Sequence, residues 1–127
     1  MNVQEMVLEF HQVYGGPIGL QPSIEVPREL IDLRIRLINE EFTELKDALA
    51  ANDLIEVADG LADLAYVVFG AAITFGIDLD RVVAEVHRSN LSKLGEDGKP
   101  IIRDDGKVLK GPNFFAPDIA STLTRRE

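Results

Sequence analysis

The sequence predicts an all-α protein, a four-helix bundle completed by oligomerisation, with a short hairpin or ordered loop and a C-terminal tail. Three observations carry this reading. Apolar residues recur at helical spacing through most of the first 94 residues. Proline and glycine gather at 15–27 and again after residue 95, where they punctuate rather than interrupt that pattern. The run from Leu61 to Phe75 is apolar nearly all round, and a helix of that kind is hard to bury within one small protomer. It is therefore expected at a subunit interface.

The elements follow in order. Val3, Met6, Val7, Phe10 and Tyr14 predict a short amphipathic helix over 2–14. "GGPIGLQPSIEVP" is a loop, and Pro27 suits the first turn of the next helix. That helix runs to about Ala51, with Ile31, Ile35, Ile38, Phe42, Leu45 and Leu49 as its apolar seam. Asn52 and Asp53 are N-cap candidates for a third helix that ends near Gly76. Asp78 opens a fourth, "DLDRVVAEVHRSNLSKL", which Gly95 stops. "EDGK" and "RDDGK" are turn signals around "PIIR" and "VLK", the expected hairpin or ordered loop. "PNFFAPDIASTLTRR" gives two Phe anchors and a last short helix from Pro117.

Bulk properties narrow the function. A chain of 127 residues suits one domain. It has no cysteine, which excludes disulfides and thiolate chemistry, and its two histidines leave little for a zinc site. The net charge of −9 is uneven: residues 1–92 carry 16 acids and 6 bases, and residues 93–127 carry 6 acids and 7 bases. An acidic body disfavours a nucleic-acid partner, which would need clustered Lys and Arg. "MNVQEMVLEF" has no basic start, so no signal peptide is expected. "LAYVVFGAAITFG" is too short to span a membrane. A cytoplasmic protein is the expectation, or one in the host cytoplasm if phage-encoded.

The acids are concentrated. Glu40, Glu41 and Glu44 share one face of the second helix, within about 100° of arc. Glu56, Asp59 and Asp63 fall within about 60° on the third. A short connection makes the two helices antiparallel neighbours, so these faces can meet. A solvated acidic face is the ordinary explanation of such a run. Two details tell against it. Positions 45 and 48, where Lys would pair at i+4, hold Leu and Ala. Asp59 and Asp63 head into the most apolar helix, where an unpaired carboxylate is costly. A hard divalent cation relieves both problems, and an all-oxygen donor set favours Mg²⁺, with Mn²⁺ able to substitute.

The pattern Glu-Glu-x-x-Glu at 40–44 and Glu-x-x-Asp at 56–59, followed by "HRSNLSK", resembles the MazG-like all-α nucleoside triphosphate pyrophosphohydrolases. That superfamily also holds the dimeric dUTPases and phosphoribosyl-ATP pyrophosphohydrolase. The resemblance extends over most of the chain, from "EFHQVYG" to "DGKVLKGPNF", and is closest to small bacterial and phage members. It implies a single MazG-like domain over 1–127 that converts a (deoxy)nucleoside triphosphate such as dUTP, dCTP or dGTP to monophosphate and pyrophosphate, for nucleotide-pool control. It implies Glu41, Glu44, Glu56 and Asp59 as metal ligands, and Glu40 as an acid that orients or deprotonates water. Asp63, one turn beyond the motif, would have a supporting role.

The resemblance also implies phosphate contacts from Asn90 and Lys93, which lie about 60° apart on the fourth helix. Their ordinary roles are a helix cap and a partner of the helix dipole. Lys107 and Lys110, with Lys99 and Arg103, are further phosphate candidates as a group. His11 and Tyr14 are candidates for the base pocket, and equally for packing of the first helix. His87 reads as a packing residue. A homodimer or homotetramer is expected. The rivals are phosphoribosyl-ATP hydrolysis and a non-catalytic acidic helical module that binds a partner through its apolar helix.

Overall fold

The structure, a computed structural model, describes residues 1–124. Within them lie α1 (Val3–Tyr14), α2 (Arg28–Ala50), α3 (Leu54–Thr74), α4 (Leu79–Leu91), β1 (Ile101–Ile102), β2 (Val108–Leu109) and α5 (Ile119–Thr124). The protein is all-α apart from the hairpin, in which Ile101 pairs with Leu109 and Ile102 with Val108 in antiparallel register. The last two arginines of the quoted tail, Arg125 and Arg126, lie outside the described residues. Contacts divide the chain into two compact units, Met1–Leu79 and Asp80–Glu127.

Capping fixes the helix ends of the first unit. Asn2 accepts a hydrogen bond from the Glu5 N–H at 2.8 Å, and Gly15 closes α1 at φ 69°. Pro27 sits just outside α2 as its N-cap, extended at ψ 138°, rather than within the first turn. Asp53, not Asn52, caps α3: its carboxylate accepts from the Glu56 N–H at 3.2 Å. Asn52 instead turns the chain between the two helices at φ 54°, a left-handed conformation that Asn tolerates better than most residues.

The α2–α3 hairpin is the centre of this unit, and its pairing runs antiparallel. A Cβ on Gly60 would stand 3.2 Å from the Leu45 Cα, and one on Gly70 would stand 2.7 Å from the Arg34 guanidinium. As residue number rises on α3 it falls on α2. Gly60 therefore permits the close helix crossing. α1 packs on α3. The 15–27 loop is strapped to the end of α3, where the Gly19 and Ser23 N–H groups donate to the Ile73 and Phe75 carbonyls at 2.8 and 2.9 Å. These bonds satisfy carbonyls that a helix C-terminus leaves open. Just past the same end of α3, the Gln4 side chain donates to Ile77 O at 3.1 Å and accepts from Leu79 N at 3.2 Å.

Among the described residues the buried apolar side chains are Val7, Leu45, Ala48, Ala72 and Ile73, all in the first unit. Much of the expected α2 seam is open: Ile35 is 57% exposed, Phe42 49% and Leu49 55%. On α3, Leu61, Tyr66 and Val68 are exposed too. By length and composition the whole of α3, 21 residues, is long enough to cross a membrane, although its most apolar stretch alone is shorter. Its first half carries Glu56, Asp59 and Asp63.

In the second unit the serines of "HRSNLSK" are pins. Ser89, buried, donates to Phe115 O at 2.7 Å, and Ser92 accepts from Phe115 N at 3.1 Å. Gly111 N donates to Lys93 O at 2.8 Å, and the Arg88 guanidinium stacks on the Phe115 ring at 4.4 Å. The aromatic segment is thereby laid along α4.

Candidate active site

Antiparallel pairing sets Glu41 of α2 against Asp63 of α3. One carboxylate oxygen from each of Glu41, Glu44 and Asp63 lies within 4.8 Å of the other two. Glu41 and Asp63 are half-buried and Glu44 is exposed. The Glu41 Oε2 is buried and has no hydrogen-bond partner among the described residues. Burial pushes the Glu41 carboxyl above its ordinary range, and the negative charges of Glu44, Asp63 and Glu40 push it further in the same direction. A proton shared between Glu41 and Glu44 is one relief of this repulsion. A cation is another, and three convergent oxygens with one orphaned buried atom fit a hard divalent ion.

The expected ligand set and this group overlap without coinciding. Glu41 and Glu44 are in both. Glu56 and Asp59 are exposed, and among the described residues their oxygens do not join the group. Asp63, expected in a supporting role, does join it. Glu56 and Asp59 sit on the same face of α3, two turns and one turn before Asp63. Glu40 is exposed beside Glu41.

The remaining candidates separate. His11 is buried, with Nδ1 2.7 Å from the Pro17 carbonyl, so it fastens the loop to α1. Tyr14 is largely exposed, its ring 4.7 Å from that of Phe10, which meets Tyr66 of α3 edge-on at 5.7 Å. In the second unit Asn90 is exposed on α4, and Lys93 is half-buried just after it. The Gly111–Lys93 backbone bond brings Lys110 close to Lys93, and the Lys110 ammonium lies 4.8 Å from the Phe114 ring centroid. Lys107 is exposed at the hairpin turn, where its N–H donates to Asp105 at 3.1 Å. His87 is exposed, contrary to the packing role expected of it.

One residue was not singled out by the sequence at all. Arg34 is half-buried, two turns before Glu41 on the same face of α2, and among the described residues its buried Nε has no hydrogen-bond partner. Loss of water around it lowers its pKa. The seven-residue spacing from Glu41 was the available signal.

A family model described as phosphoribosyl-ATP pyrophosphohydrolase matches residues 7–90. The chain belongs to this family. The match holds most of α1, all of α2 and α3 and nearly all of α4, and so every acid of the cluster on α2 and α3. An uncharacterized protein of Acanthamoeba polyphaga mimivirus is 37% identical over 100 residues, which are 76% of this chain and 37% of that protein. The chain thus spans little more than a third of that curated relative. The crystal structure of a candidate NTP pyrophosphohydrolase from Exiguobacterium sp. 255-15 has the same fold, with a TM-score of 0.50 at 22% identity over 94% of this chain and 91% of the other.

Proposed function

We propose that the chain hydrolyses a nucleoside triphosphate to the monophosphate and pyrophosphate, with Mg²⁺ held first by Glu41, Glu44 and Asp63. The observation that carries this reading is the convergence of those three carboxylates around an unpartnered buried oxygen of Glu41, inside a region matched by a pyrophosphohydrolase family. Asp59 and Glu56 would extend the ligand set along α3 toward a second ion. Bound there, Mg²⁺ would offset the negative charge of the phosphates and favour deprotonation of water at the site. Glu40 is the carboxylate we assign to orient a water molecule or take its proton. Lys93 and Lys110, with Asn90, would hold the phosphates, and Lys107 would add long-range attraction.

An acidic body alone repels a polyphosphate, so the metal and the basic segment are both required by this reading. The thin core and the open apolar faces of α2 and α3 support assembly into a homodimer or a dimer of dimers, which would complete the four-helix bundle. The family's namesake substrate, phosphoribosyl-ATP, is the second reading, favoured by the description of the matching family. The deciding experiment is pyrophosphate release from a panel of NTPs, dNTPs and phosphoribosyl-ATP, with and without Mg²⁺. Release that requires metal is expected from at least one deoxynucleotide. No release from any member, with metal present, overturns the enzymatic reading and leaves the helical interaction module.

A further inference from the structure

We infer that Gly111 is a positioning residue for phosphate capture. By letting the chain cross the end of α4 without a side chain, it fixes Lys110 beside Lys93, so that the two ammonium groups grip one diphosphate unit together. This rests on the triphosphate reading above and adds to it the residue that makes two lysines act as one.

The crossing is tight. The Gly111 N–H donates to Lys93 O at 2.8 Å, so the chain at 110–111 lies directly on the turn that follows α4. A Cβ on Gly111 would overlap the Leu94 carbonyl and stand 2.9 Å from Lys93 O. Both obstacles are backbone and cannot rotate away, so any side chain here lifts the segment. Closing a carbonyl at a helix C-terminus needs only an N–H, which every residue but proline supplies. That role does not call for glycine, whereas so close an approach does. The segment is also anchored further on, where Phe115 O accepts from Ser89 and Phe115 N donates to Ser92. Lys110 is thus placed by a strap fixed on both sides of it, not by a free tail.

What the crossing places is two like charges. Among the described residues neither Lys93 nor Lys110 makes an ion pair, although the chain has 22 acids against 13 bases. The nearby acids are engaged elsewhere: Asp97 accepts from Lys99 N at 3.0 Å, and Asp105 pairs with Arg103. Two ammonium groups on touching backbones repel one another, and a polyanion relieves that repulsion. The Lys110 ammonium lies 4.8 Å from the Phe114 ring centroid. The ring attracts it and limits its sweep, and leaves its N–H donors for a ligand. The Lys93 side chain belongs to a half-buried residue and is confined as well. Two confined cations favour a ligand that meets both, because the second contact is then intramolecular. A single phosphate meets both only if the ammonium groups close to its own width, against their repulsion. A diphosphate unit lets them stand apart.

The test is equilibrium titration of the full chain with inorganic pyrophosphate and with orthophosphate, without divalent metal, so that the acid cluster takes no part. The wild type should bind pyrophosphate about tenfold more tightly or better. Lys93→Met and Lys110→Met should each remove most of that preference, and the double variant should lose little more than either. Gly111→Ala should weaken pyrophosphate binding about tenfold while nearly keeping the affinity for orthophosphate, and Lys110→Met added to it should have no further effect. dGDP, which carries the same unit on a nucleoside, should depend on Gly111 in the same way; if it does not, the role in substrate capture is overturned. Additive losses for the two lysines, no preference in the wild type, or a preference retained in Gly111→Ala overturns the proposal. Should Gly111→Ala fail to fold, the lysine cycle decides by itself, since those variants leave every bond of the strap in place. Pyrophosphate release separates this from the parent reading. Release with additive lysine losses sinks the inference alone. A joint grip on pyrophosphate and dGDP without release from any nucleotide sinks the hydrolase reading alone.

Discussion

Glu41 concentrates the tension of the acidic face. Its carboxyl is raised above the ordinary value by burial first and by Glu44, Asp63 and Glu40 after that. A folded-state pKa above the unfolded one means that ionisation opposes folding. Below the ordinary carboxylate range both states hold the proton and the penalty is absent. As pH rises, the unfolded chain releases its proton first, and the folded protein loses stability until its own raised pKa is passed. Glu41→Gln should therefore be more stable than the metal-free wild type at neutral pH, and the advantage should vanish on acidification through the carboxylate range. Urea unfolding of both proteins across that range reads this directly, and Mg²⁺ should stabilise the wild type more than the variant. An advantage that is independent of pH would remove repulsion as its cause. Residue types and helical spacing made the acid cluster legible, because neither needs tertiary structure. The roles within it were less so. Asp63 joins Glu41 because of the axial register of two helices, which the three-residue turn and the Gly60 crossing set. Arg34 was invisible because its distinction is a buried Nε without a partner among the described residues, and a sequence does not display partners.

At the scale of elements, the helices were readable from period and punctuation, and the errors lie at their ends. Two adjacent cap-forming residues, Asn52 and Asp53, compete at the start of α3, and only backbone geometry assigns one to the turn and the other to the cap. The hinge of the design is Gly60. Helix propensity alone would favour Gly60→Ala by about 1 kcal/mol, but a Cβ there already meets the Leu45 backbone at 3.2 Å. A β-branched side chain adds volume where nothing can yield cheaply. Gly60→Val should destabilise by about 1–3 kcal/mol in urea unfolding and weaken Mg²⁺ stabilisation, because it spreads the helices that bring Glu41 to Asp63. Unchanged stability would mean that the hairpin is looser than its contacts imply. The second unit makes a different prediction. Ser89, Ser92 and the Lys93 carbonyl hold the aromatic segment through bonds that do not involve the Lys93 ammonium. Lys93→Ala should thus leave melting temperature and Mg²⁺ response near wild type while lowering kcat/KM at limiting nucleotide. A wild-type rate would return this lysine to a helix-dipole role.

For the whole molecule, the deciding quantity is apolar surface. Among the described residues the chain buries few large apolar side chains, while residues on both long helices stay open, Leu61 at 55% and Val68 at 37% exposure among them. Apolar area left in water forgoes about 25 cal/mol per Å², so a second copy of this surface is the economical cover for a chain this acidic and helical. A membrane is the other apolar environment that α3 is long enough to enter, but Asp59 and Asp63 would then stand within the hydrocarbon, at a cost of several kcal/mol each. In a protein–protein bundle the same acids can line a wet site at one end of the apolar stripe. Val68 lies beyond Asp63 on α3, away from the carboxylates but within the stripe. Val68→Glu should convert the assembly to monomer in sedimentation at micromolar concentration and should lower the melting temperature. Activity should fall with it, and it should recover in part at high protein concentration if mass action restores the dimer. A wild type that sediments as a folded, active monomer would contradict the assembly outright. A Val68→Glu dimer of normal stability would move the interface off this face of α3 and onto the open seam of α2.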